Sequence, residues 1–454
     1  MPLLCLIAEQ SIPPPPPVPA YTRWRAWGQA GRDGGLDPTT MARTSSTRAG
    51  RPTPAPLTPS PSLPGVLRLI WQERQISRAD IARRTGLSRS TVSEIVSVLL
   101  PTGLLAEVGV GVSSGGRRPI VLQFQDDALG VLGIDMGAGH ISAALTNLRG
   151  VVVAWEHRSH PVRSDPAGAV ALMTELAARC VRQWGHKAER LLGIGVAVPS
   201  PVDLARPDEL CDVILPAWRG VSVGAALRKR FGVPVLIDND ANLAALAERW
   251  WGLGQGVDDA AYIKVATGVG SGHIIGGRIH RGARGLAGEI GHLAIDPRGA
   301  ACVCGLRGCL TTLIGSQALV ARAQALLPAY PTSQLNGAEL TIGAIEDAAL
   351  AGDALALRVV DEAADHLGIA IANLLNLLNP AMVIIGGGLA RLGETLLVPL
   401  RRAVDRRTLI TSVRSATIVT SSLGARAVAI GAATLMLERA FTDPALFPTA
   451  AAGR

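Results

Sequence analysis

The chain has 454 residues, enough for two or three domains, and its 48% hydrophobic and 18% charged content suits a large globular core. Aromatic residues are only 3% of it, so that core has to be mostly Ala, Val, Leu and Ile. The formal net charge of +8, carried almost wholly by arginine, allows an acidic partner, while the absence of any apolar run of the ~18 residues that a membrane helix needs excludes a spanning segment.

Residues 1–62 carry an unbroken proline run, Pro13 to Pro17, and a Pro/Ser/Thr-rich stretch from Arg51. Such composition cannot bury enough apolar surface to fold, so a disordered tail is expected, acting as a partner-binding arm or a plain linker. The start MPLLCLIAEQ lacks the basic region of a signal peptide, and Met41 is an alternative start.

Between 63 and 125 the pattern turns helical. In PGVLRLIWQERQ the apolar positions Val66, Leu67, Ile70 and Trp71 recur at helical spacing. Ser77 and Asp80 form a capping-box-like pair at the head of a second helix that ends at Gly86, and Ser88 opens a third, SRSTVSEIVSVLL. Two helices about a glycine turn, the second rich in Ser, Thr and Arg, predict a DNA-reading helix-turn-helix with Ile81, Ala82, Leu87, Val92 and Ile95 inside. Ser88, Arg89, Ser90 and Thr91 are the candidate base-reading residues, with Ser93 also outward. Two strand-like runs joined by GVSSGGRR follow, a wing whose tip carries Arg117 and Arg118 for phosphate or minor-groove contact. Eight arginines against four acidic residues over 64–125 are consistent with that, or with a basic protein-interaction cap.

From Gly130 the chain reads as α/β. GVLGIDMGAG is a buried strand entering a glycine turn, followed by two strands, a helix over 166–185, and the strand LLGIGVAVPSPVD. PVLIDNDANLAALAERWWG is a strand, a polar elbow and a helix; AAYIKVATGVGSGHIIGGRIHRG is two strands about a glycine turn. Helices dominate from Ile314 to Leu378, before AMVIIGGGLA gives a last strand and turn. The strand–turn–strand pattern at Asp135 and again at Thr267 predicts two α/β lobes closing on a cleft, over 126–440, with a short tail over 441–454. Because GIDMGAG is followed by strand and not by helix, this is not a dinucleotide-binding pattern.

One loop carries metal chemistry. His292, Cys302, Cys304 and Cys309 stand at H-x9-C-x-C-x4-C spacing among Gly299, Gly305 and Gly308. Four imidazole or thiolate ligands in one short loop are what tetrahedral structural zinc requires, and a full set leaves no open position for catalysis. A disulfide or a chance cluster is the alternative. Zinc-type cysteines without a disulfide framework fit a reducing cytoplasm.

With GEIGH and CVCGLRGC in that loop and a winged helix before it, residues 64 to 435 resemble the ROK family of repressors, open reading frames and kinases, and in particular its xylose- and N-acetylglucosamine-responsive regulators. The resemblance implies an N-terminal winged helix-turn-helix followed by two actin/hexokinase-like (ribonuclease H-like) α/β lobes, and a homodimer or homotetramer on operator DNA. It places Asp240, in the elbow Asn239-Asp240-Ala241-Asn242, at the position of the kinases' sugar-hydroxyl base, with Asn239, Glu289 and His292 as sugar contacts. Read alone, Asp240 is an ordinary helix cap. The phosphate-binding positions are Asp135 and Gly137 in the first turn, Thr267, Gly268 and Gly270 in the second, and Gly386 and Gly387 in the last; these glycines also satisfy a fold requirement. Gly139 and His140 replace a threonine and a lysine of the kinase pattern, Thr311 replaces a glutamate, and Ser200 departs from the usual proline turn.

Two functions follow. The first is a sugar-responsive DNA-binding regulator, a repressor of carbohydrate-utilisation genes, with structural zinc. The second is a sugar kinase with an appended DNA-binding domain, which would need ATP and Mg. A regulator that has lost sugar sensing, as Thr311 allows, is a third.

Overall fold

The computed structural model describes residues 62–110, 119–185, 190–408 and 416–447. The expected tail lies outside the described residues but for Ser62, and so do Arg117 and Arg118 at the wing tip.

The N-terminal part is three helices and a small sheet: α1 (Leu63–Glu73), β1 (Gln75–Ser77), α2 (Arg78–Thr85), α3 (Arg89–Leu99), β2 (Leu105–Val110) and β3 (Ile120–Phe124). Ser77, in extended backbone, accepts the Asp80 amide hydrogen, and its hydroxyl donates to the Asp80 carboxylate at 2.8 Å, closing the expected start of α2. Gly86 ends α2 at φ +70, where a side chain would strain the backbone. Ser88 caps α3 through the Thr91 amide. The strand order is β1-β3-β2, all antiparallel. Ile81, Val92 and Ile95 are buried as expected, whereas Ala82 and Leu87 are only half-buried at the edge of the cluster. Strand β1 has no signal of its own in the sequence; its pairing with β3 creates it.

Two five-stranded sheets follow. The first holds β4 (Gly130–Met136), β5 (His140–Thr146), β6 (Val152–Ser159), β7 (Leu191–Val198) and β8 (Val235–Asn239), and the second β9 (Ala260–Val265), β10 (Val269–Ile275), β11 (Arg278–His280), β12 (Met382–Gly387) and β13 (Thr417–Thr420). Their orders are β6-β5-β4-β7-β8 and β11-β10-β9-β12-β13, the same arrangement twice: an antiparallel meander extended by two parallel strands. This is the pair of actin/hexokinase-like α/β lobes that was expected.

Helices α4 (Pro166–Trp184) and α5 (Ala225–Phe231) bury their apolar sides with the first sheet. The second sheet is covered by α7 (Thr311–Ile314), α8 (Ser316–Leu326), α9 (Ile342–Leu350), α10 (Ala354–Leu378) and α11 (Glu394–Asp405). Helices α6 (Asp240–Trp251) and α12 (Ala427–Thr442) follow the last strand of their respective sheets and share a core with both. They approach very closely: a Cβ on Gly431 would come within 1.7 Å of the Leu243 carbonyl oxygen. Only glycine allows that contact, so the α6–α12 pair is a rigid spine. Helix α12 runs past the boundary expected at 440, and Phe447 beyond it is buried.

Candidate functional site

A cleft of about 490 Å³ takes lining residues from both lobes. Its walls include Ala138, His140, Ser200, Asn239, Asp240, Lys264, the second glycine turn, Glu289, His292 and Thr311. The expected sugar residues are therefore together, beside Thr267, Gly268 and Gly270.

The polar elbow lies where β8 passes into α6. Asn239 Oδ1 accepts from the amides of Ala241 at 2.9 Å and Asn242 at 3.2 Å, and its amide donates to the Ser200 carbonyl at 3.2 Å. The cap role weighed for Asp240 thus belongs to Asn239, which leaves the Asp240 carboxylate directed elsewhere. It accepts a hydrogen bond from Lys264 Nζ, on β9, at 2.7 Å. The Arg281 guanidinium makes a forked ion pair with Asp238 Oδ2 at 2.7 and 2.9 Å and so fixes the end of β8. Sequence reading missed Lys264, although a signal was present: it is one of only three lysines among the 44 basic residues.

The turn expected to hold phosphate, after β4, is closed by its own chain. Asp135 is buried at the end of β4, and His140 Nε2 lies 3.1 Å from its Oδ2. Burial would raise the Asp135 pKa, but His140 and the nearby Lys264 more than offset this and hold it below the usual carboxylate range. The His140 ring covers the turn so closely that a Cβ on Gly137 would sit 2.2 Å from it. His157 continues the network, its ring centroid 5.3 Å from that of His140 and its Nδ1 2.9 Å from Ser142 Oγ. Gly386 and Gly387 end β12 in register with Lys264 and Val265. Gly387 has φ +81 and rests on the Val265 carbonyl, a conformation that requires glycine with or without a nucleotide.

The metal-type loop flanks the cleft, and the four candidate ligand atoms lie within 4.8 Å of one another. Cys304 Sγ and Cys309 Sγ are 3.7 Å apart, and Cys302 Sγ is 3.5 Å from His292 Nδ1. A tetrahedron with bonds of about 2.3 Å to sulfur and about 2.0 Å to nitrogen has edges of about 3.8 and 3.5 Å, so these two pairs already match such edges and the four donors together could hold a metal ion. All three cysteines are free in the structure, with no disulfide closing the loop. Burial keeps the His292 imidazole pKa low, which favours the neutral form that ligates. Burial and the neighbouring thiols push Cys309 up to about 12, so a metal entering the loop has to displace protons. Gly308 makes the loop buildable: at φ +63 it packs onto the Asp296 carbonyl with no room for a Cβ. His292 turns its other nitrogen toward Glu289 Oε2, 3.9 Å away, and burial together with Asp240 raises the Glu289 pKa to about 7.

The DNA-type residues lie on α3. Arg89, Ser90 and Ser93 are exposed, and Thr91 is half-buried. The Ser88 hydroxyl is committed to its own helix, 2.7 Å from Ser90 Oγ and 2.8 Å from Thr91 Oγ1. Arg83 on α2 is a further exposed cation on this part of the chain.

The ROK family model matches residues 131–439, and a winged helix-turn-helix DNA-binding model matches residues 64–105. The xylose repressor of Caldicellulosiruptor bescii is 33% identical over 383 residues, covering 84% of this chain and 96% of the repressor. The N-acetylglucosamine repressor of Escherichia coli O157:H7 is 33% identical over 82% of this chain and 91% of its own length. Among solved structures, a ROK family transcriptional regulator, described as a homolog of an Escherichia coli protein, superposes with a TM-score of 0.73 at 28% identity, covering 86% of this chain and 98% of its own. A ROK family glucokinase from Streptomyces griseus, in complex with glucose and AMPPNP, gives 0.62 at 31% identity, covering 67% of this chain and 98% of its own.

Proposed function

We propose that this chain, which belongs to the ROK family, is a DNA-binding transcriptional repressor that senses a sugar or sugar derivative in the cleft between its lobes. Operator DNA is its macromolecular partner, read by a homo-oligomer through α3 and the wing. The metal of the His292–Cys309 loop is a structural zinc, which holds Glu289 in one orientation at the cleft wall.

The observation that carries the reading is the contrast within the cleft. The hydroxyl-binding side keeps Asp240, Glu289 and His292 on its walls, while the first phosphate turn is covered by the His140 ring and its carboxylate is already paired. Sugar hydroxyls need carboxylate and amide partners whether or not chemistry follows. Phosphoryl transfer also needs the γ-phosphate held in line and its charge stabilised, and a turn filled by imidazole does neither. The kinase alternative is separated by steady-state turnover: sugar-dependent ATP consumption at the roughly 1–100 per second of ordinary kinases would replace the sensor reading.

Asp240→Asn is expected to weaken the ligand response by more than about tenfold, because a buried hydrogen bond to a charged group contributes ~1.5–3 kcal/mol. Binding to free operator should persist, since α3 lies on a different part of the chain. Fluorescence anisotropy of labelled operator, titrated with sugars, reads both quantities; a variant that still responds at wild-type sugar concentration removes Asp240 from the site.

On the DNA side, Arg89→Ala is expected to change which operator sequences are preferred. Neutralising Arg117 and Arg118 should weaken binding to all sequences alike and reduce the salt slope by about 0.9 per lost phosphate contact. Competition binding at several salt concentrations distinguishes the two. Wild-type behaviour in both variants would contradict the assigned DNA-binding face.

A further inference from the structure

Lys264 is an unusual residue for this chain. Arginine supplies nearly all of the positive charge, yet the cation inside the cleft is one of three lysines. Its side chain is only 13% exposed, and its Nζ lies 2.7 Å from Asp240 Oδ2. Burial by itself would lower the pKa of this amine, but the carboxylates of Asp240 and Asp135 more than offset that and hold it above the ordinary lysine range. Lys264 is therefore a fixed ammonium, which excludes the nucleophilic amine that a covalent adduct with a sugar aldehyde would need.

We propose that Lys264 is the positioning residue of the sugar cleft, anchoring Asp240 through one carboxylate oxygen so that the other accepts a ligand hydroxyl without carrying its proton away. This rests on the sensor reading above and adds the residue that sets its chemistry. A general base has its charge neutralised by the proton it takes up. Asp240 has one oxygen bound to a buried ammonium, and its charge is already balanced across a 2.7 Å ion pair. The pair is suited to recognition: a hydroxyl donates to Asp240 and accepts from the ammonium beside it, so both of its hydrogen-bonding roles are read. A similar pairing occurs at the end of β4, where His140 pairs with Asp135. Asp240 on the cleft wall and the buried Asp135 behind His140 are thus both held by partners from the chain itself. A compact ammonium suits that task, since it makes a point contact with one oxygen, where a guanidinium fork tends to engage both.

The test is a double-mutant cycle on the full-length protein, with D-glucose, D-xylose and N-acetylglucosamine as calorimetric probes. For whichever probe binds wild type, Lys264→Met is expected to cost about tenfold or more in affinity. The Asp240→Asn/Lys264→Met double variant should bind no worse than Asp240→Asn alone, because the lysine acts through the aspartate. Lys264→Gln, which keeps a donor and loses the charge, should recover part of the affinity and serves if Lys264→Met fails to fold. Lys264→Gln should keep the metal content of wild type and a cooperative melting transition, so that its loss of binding is not a loss of fold. Wild-type affinity in both lysine variants, or losses that multiply in the double variant, would overturn the inference while leaving the sensor reading in place. A folded wild type that binds none of the probes would overturn the sensor reading, and this inference with it.

Discussion

Cys309→Ser is expected to empty the metal loop and remove ligand binding at the same time. Cys309 is fully buried, its thiol lies 3.7 Å from Cys304 Sγ, and it is followed directly by the buried core residue Leu310. A serine hydroxyl cannot replace a thiolate on zinc, and three ligands without the fourth leave the loop unclosed. Structural zinc contributes ~10–16 kcal/mol of apparent binding free energy in small zinc domains, and that energy becomes folding energy of whatever the metal orders. A zinc held in this loop would order the turn from Glu289 to His292 and the entry to α7, both of which contribute residues to the cleft wall. Metal analysis should therefore fall from one ion per chain to none, the melting temperature should drop, and the sugar-induced thermal shift should vanish. A wild-type preparation that is folded and metal-free would show that the cluster is not a metal site.

Trp71→Ala is expected to destabilise the chain strongly, and to separate ligand binding from DNA release. Trp71, on α1, packs its ring against Trp250 at 5.6 Å, Trp251 at 6.2 Å and Phe441 at 5.3 Å. Its Nε1 donates to the Leu148 carbonyl at 3.0 Å, and the Arg149 guanidinium lies 4.5 Å from the ring centroid. Deleting such a ring from a packed cluster costs about 3–5 kcal/mol, and removing the cation–π partner adds to that.

The position of this junction gives it a functional consequence. Helix α6 begins at Asp240 in the cleft and ends at Trp250 and Trp251 against Trp71, a rigid span of about 18 Å at 1.5 Å per residue. One element thus reaches the cleft at one end and the winged helix-turn-helix part at the other, and in the proposed sensor a ligand that shifts α6 would shift the balance between DNA-competent and DNA-incompetent arrangements. Operator anisotropy with and without sugar measures the coupling. Trp71→Ala should keep a measurable affinity for each ligand separately while the sugar no longer changes operator affinity, and Trp71→Phe, which retains a ring, should fall between. Unchanged coupling in both variants would place the transmission elsewhere.

What the amino-acid sequence determined by itself was whatever depends on neighbours within a few residues. The Ser77–Asp80 cap, the Gly86 stop, the strands on either side of Asp135 and of Thr267, and the metal-ligand spacing from His292 to Cys309 all follow from backbone hydrogen bonds and loop geometry that close locally. The tertiary structure decided what depends on closing long stretches of chain. Strand β1 exists because β3, more than forty residues later, lends it a ladder. Whether Asn239 or Asp240 caps α6 was settled by where the Ser200 carbonyl and Lys264 lie. Lys264 had 36 acidic residues to choose from, and only the stacking of α6 on β9 puts Asp240 within reach of it. Trp71 reaches Trp250 across almost 180 residues for the same reason. Ion pairs and ring contacts carry no period and no fixed spacing in sequence, so they are settled only when the two sheets and their shared spine of α6 and α12 bring the partners together.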